Sequence, residues 1–98
     1  MHLSMSNMKY YTNIVPTLLY SKLLEKGMPV NLVTYAEVFD WLITKGISIN
    51  IYPDRGIVNG DGMWRLQYFG ERILAPTIPK GWIEIANDAI RTAIKQLI

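Results

Sequence analysis

Residues 34–53, TYAEVFDWLITKGISINIYP, decide the fold, because one helix, one glycine stop and one strand are written into them in succession. Thr34 and Glu37 stand at capping-box spacing: the Thr34 hydroxyl accepts from the Glu37 amide, and the Glu37 carboxylate reaches back to the Thr34 amide. Val33 and Val38 occupy the positions of a hydrophobic staple. Tyr35, Val38, Phe39 and Leu42 follow the i, i+3, i+4, i+7 rhythm of a helix with one buried face, widened by Ala36 and Ile43. Gly46 supplies the left-handed residue that ends such a helix. Beyond it Ile47, Ile49 and Ile51 alternate with Ser48, Asn50 and Tyr52, the period of a half-buried strand.

Upstream, a first helix is predicted over residues 15–26. Pro16 suits its first turn, where no amide donor is needed, and Gly27 with Pro29 ends it. Its apolar stripe is Leu19, Tyr20, Leu23 and Leu24, with Leu18 off the stripe. LLEKGMPVN at 23–31 and LITKGISIN at 42–50 share leucine, lysine, glycine and asparagine in register. Pro29 opposes a strand in the first copy, so the echo reads as two helices ended by the same physics rather than as a structural repeat. Residues 1–8 carry no periodicity and are predicted to be poorly ordered, with a single domain over 9–98.

Downstream, PDRGIVNGDG at 53–62 is dense in turn formers and predicts a hairpin loop. Its Asp54, Asn59 and Asp61 lack the spacing and the closing glutamate of a calcium loop. Residues 62–69 then alternate as a second strand, Trp64, Leu66 and Tyr68 on one side and Met63, Arg65, Gln67 and Phe69 on the other. A short third strand is predicted at 72–75, closed by Pro76 and Pro79. The last helix, 82–97, places Trp82, Ile83, Ala86, Ala89, Ile90, Ala93, Ile94 and Leu97 on one face, with acids early and bases late to match its dipole. The predicted fold class is therefore α+β: two N-terminal helices, a three-stranded antiparallel meander, and a C-terminal amphipathic helix on the sheet, in the order α-α-β-β-β-α.

Composition narrows the chemistry. In 98 residues there are 10 basic and 8 acidic side chains, a net charge of +2, one histidine and no cysteine. A disulfide framework, a thiol nucleophile and a cysteine-built zinc site are excluded. The only histidine, His2, stands in the N-terminal segment, and the serines lack a nucleophile elbow. Glu37 with Asp40 and Glu84 with Asp88 are carboxylate pairs on helix surfaces, read as caps and solvated faces. No Walker loop or dinucleotide fingerprint is present. No apolar run approaches the roughly 18–20 residues needed to span a bilayer, so neither a membrane span nor a signal peptide is expected. The expectation is a cytoplasmic, non-enzymatic protein without metal or cofactor, whose partner is another protein or a second copy of itself.

Two surfaces stand out for binding. Trp41 projects beside Glu37 and Lys45, beyond the apolar stripe of its helix, and either packs against the first helix or serves as a candidate protein contact. Tyr52, Arg55, Arg65, Gln67, Arg72 and Lys80 bring cations near an aromatic ring and make a candidate nucleic-acid surface. Asp54, Asp61 and Glu71 in the same turns offset that potential, so nucleic-acid binding is expected no tighter than roughly the 10⁻⁴–10⁻⁶ M of non-specific contacts.

The combination of LLEKGMP, TYAEVFDWL, a strand pair with Trp64 and GWIEIANDAIRTAIKQLI resembles small proteins of unassigned function that recur in gut-bacterial genomes, prophages and mobile elements. That resemblance covers most of residues 10–98, implies a phage- or mobile-element-related setting with no function assigned, and transfers no active-site residue. From Thr34 onward the α-β-β-β-α order is similar to that of double-stranded RNA-binding domains. That family's lysine-rich start to its last helix is replaced here by Pro79-Lys80-Gly81-Trp82-Ile83-Glu84. The run Ile83-Glu84-Ile85-Ala86-Asn87 also resembles the last helix of antitoxin-like HicB domains, without the proline-glycine pattern of their strands.

Overall fold

The computed structural model describes residues 9–53, 63–70 and 81–97. Helical backbone at 9–11 leads into α1 (Thr17–Glu25), α2 (Tyr35–Thr44), β1 (Ser48–Pro53), β2 (Trp64–Phe69) and α3 (Trp82–Gln96). The class is α+β, with α3 packed on an antiparallel sheet. Among the described residues that sheet has two strands rather than the three expected. The predicted strand at 72–75, the turn-rich loop at 54–62 and the N-terminal segment 1–8 lie outside the described residues.

α1 begins at Thr17, two residues later than its apolar pattern suggests, and Pro16 is its N-cap rather than its first helical residue. The cause is a pairing that periodicity does not reveal. Ile14 bridges Thr34 in antiparallel fashion, the Val15 amide donates to the Val33 carbonyl at 2.9 Å, and the Tyr35 amide donates to the Asn13 carbonyl at 3.1 Å. The chain is thereby held extended up to Pro16, and the residue before a proline already disfavours the helical region.

The two helix stops are one motif used twice. After α1, Met28 donates to the Leu23 carbonyl at 3.1 Å and Gly27 to Leu24 at 3.0 Å; after α2, Ile47 donates to Leu42 and Gly46 to Ile43, both at 3.0 Å. This is the Schellman pattern, with Gly27 at φ +98° and Gly46 at φ +82° as the left-handed residues. The apolar pairs that accompany it, Leu23 with Met28 and Leu42 with Ile47, are all buried. The internal echo of the sequence is this shared stop. The predicted capping box of α2 is complete: the Glu37 amide donates to Thr34 Oγ1 at 3.2 Å and the Thr34 amide to Glu37 Oε1 at 3.1 Å.

β1 and β2 pair with Ile49 opposite Tyr68, Asn50 opposite Gln67, Ile51 opposite Leu66 and Tyr52 opposite Arg65. Ile49, Ile51, Trp64 and Tyr68 are buried on the inner face and Leu66 is half-buried, as the period of two requires. α3 lies along β2 in the same direction. Tyr10 contacts both Trp64 at the start of β2 and Trp82 at the start of α3, and the Tyr68 hydroxyl near the end of β2 donates to Gln96 Oε1 at 2.8 Å. The predicted face of α3 is correct in its alanines, Ala86, Ala89 and Ala93, which are fully buried and allow a close approach. It omits Ile85, which is buried, and includes Ile83, which is only half-buried.

Trp82 is the hub of the core. Tyr10 stacks on it at 5.2 Å, Tyr11 and Tyr35 meet it edge-on at 5.1 and 5.3 Å, and Phe39 lies 6.2 Å away. Aromatic pairs at such separations are worth about 0.5–1.5 kcal/mol each beyond their buried area. This cluster ties the N-terminal turn and α2 to the start of α3.

Candidate interaction surface

The outer face of the β1–β2 ribbon follows from the same register that builds the core. With Ile49, Ile51, Trp64 and Tyr68 inward, Ser48, Asn50 and Tyr52 must point outward on β1, and Arg65, Gln67 and Phe69 on β2, with Met63 just ahead of the strand. Three of these are large and apolar and yet exposed: Tyr52 by 41%, Met63 by 51% and Phe69 by 56%. Between the two ends, Asn50 Nδ2 donates to Gln67 Oε1 across the strands at 3.4 Å. Neither strand contains a carboxylate, and Arg65 is the cation between them.

Of the six residues read from sequence as a binding surface, Tyr52, Arg65 and Gln67 are brought onto this one face. Arg55, Arg72 and Lys80 lie outside the described residues. Met63 and Phe69 belong to the face but were not singled out from sequence. The signal for them was the alternation itself, which assigns both to the side away from Trp64. Trp41, the other candidate contact, is half-buried and packs against the edge of the core, with the Lys45 ammonium 5.4 Å from its ring centroid.

A concavity of about 500 Å³ is lined by Thr12, Asn13, Ile14, Pro16, Tyr35 and Ile83. It is open, and among the described residues no charged side chain lines it. The Tyr35 hydroxyl donates to Asn87 Oδ1 at 2.6 Å. Burial pushes the phenol up from its ordinary value, against the Asn87 hydrogen bond and the nearby Arg91, which act downward. Tyr35 is thus a neutral structural donor across α2 and α3.

One member of each carboxylate pair, Glu37 and Asp88, is likewise engaged in structure. Glu37 is held below the ordinary carboxylate value, first by the Thr34 amide, then by the Thr34 hydroxyl and the Val33 amide. Asp88 pairs with Arg91 at 2.9 Å on the surface of α3. Among the described residues no group of three or more histidine, cysteine or acidic side chains converges as a metal site would require, and no helix is long and apolar enough to cross a membrane. No family model, curated protein or solved structure matches the chain.

Proposed function

We propose that this chain is a small, non-enzymatic interaction module of the cytoplasm that acts through a protein contact on the outer face of the β1–β2 ribbon. The observation that supports it is the joint exposure of Tyr52, Met63 and Phe69 on a face that also bears Arg65 and whose two strands contain no carboxylate. Aromatic residues, methionine and arginine are the types enriched in protein interfaces, and acidic residues are depleted there. The resemblance to small proteins of prophages and mobile elements fits an accessory role of this kind.

Single-stranded nucleic acid is the second reading, because Tyr52 and Phe69 on one sheet face are what base stacking requires. Among the described residues Arg65 is the one cation in the register of that face, however, and backbone binding draws its affinity from several neutralised phosphates. The protein reading is therefore preferred.

The deciding experiment is affinity capture with wild-type protein and with a Tyr52→Ser/Phe69→Ser variant of unchanged thermal midpoint, in lysate of cells that carry the gene. A protein held by the wild type and lost by the variant supports the proposal. Salt-sensitive retention of RNA or DNA instead supports the second reading. Identical capture by both proteins refutes the assignment to this face.

A further inference from the structure

We draw no further inference here: the strongest candidate, the open concavity between the 12–16 segment, Tyr35 at the start of α2 and Ile83 at the start of α3, with exposed Ile14 at its rim, carries nothing because nothing in the structure shows what covers it.

Discussion

Replacing Gly46 by alanine isolates a backbone effect, because a Cβ built there meets nothing within 4 Å. Steric collision is thus removed from the account, and only conformation remains. At φ +82° an L-residue sits in the left-handed region, which costs about 1–2 kcal/mol relative to glycine. Alanine also restricts the unfolded chain, returning about 0.4–1 kcal/mol. The difference is a net loss of about 1 kcal/mol. For a domain of this length that lowers the thermal midpoint by about 4–8 °C. Asparagine, which tolerates the left-handed region, should cost less than alanine at the same site.

Gly27 provides an internal replicate. It has the same two hydrogen bonds around it, φ +98°, and open space where a Cβ would stand, so Gly27→Ala should cost the same amount. Gly70 is the counter-case. Its φ is not in the left-handed region, but a Cβ there would lie 2.5 Å from Gln96 Oε1 and 2.9 Å from the Tyr68 ring, so alanine would disturb the Tyr68–Gln96 hydrogen bond. Urea or thermal unfolding of the four variants measures all of this. An unchanged or raised midpoint for Gly46→Ala would refute the left-handed stop. A loss above about 3 kcal/mol would show that the open-space premise is wrong, since conformation alone does not supply so much.

Three further outcomes follow from the helix start and from the bond between α2 and α3. Thr34→Ala should destabilise by about 0.5–2 kcal/mol, read as a shift of the urea midpoint at unchanged slope. Because Glu37 is held below its ordinary value in the folded chain, its contribution is fully present above the unfolded pKa and is lost as pH falls through the folded one. Wild type should therefore lose stability across the acidic range more steeply than Glu37→Gln, and parallel pH profiles would contradict the capping geometry. Tyr35→Phe removes the donor to Asn87 and should cost about 0.5–1.5 kcal/mol, with no cost expected if the hydroxyl is equally well served by water.

Most of the fold was legible because its signals are local. The capping box, the glycine stop and the period-two strand of residues 34–53 each depend on neighbours within a few positions, and all are present in the structure. What failed to show depended on distant partners. The late start of α1 comes from the extended pairing of residues 13–15 with 33–35, which no periodicity encodes. The burial of Ile85 comes from the rotation of α3 against the ribbon, since Ile83 and Ile85 both border a stripe that sequence alone leaves broad. The candidate surface was half legible for the same reason: alternation assigned Tyr52, Arg65 and Gln67 to one face, while the weight of Phe69 and Met63 became visible only with their exposure.

That exposure matters because this chain places its large side chains inward almost everywhere else in the sheet and the helix that covers it. Trp64 and Trp82, with Tyr11, Tyr35 and Phe39, are buried in one cluster, and Trp41 is half-buried under Lys45. A ribbon needs only one apolar face to hold a covering helix, and Ile49, Ile51, Trp64 and Tyr68 already provide it. Nothing in the stability of the described fold calls for a phenylalanine and a methionine on the side facing water, where each exposed ring or thioether leaves apolar area hydrated at about 25 cal/mol per Å². If Phe69 and Met63 serve only the fold, Met63→Ser/Phe69→Ser should lower the thermal midpoint as a core substitution does, by well over the ~4 °C that corresponds to 1 kcal/mol. If they serve a partner, the isolated protein should unfold within about 0.5 kcal/mol of wild type, the range of ordinary surface substitutions. A large drop in stability would return these side chains to the fold and remove the main support for a binding face.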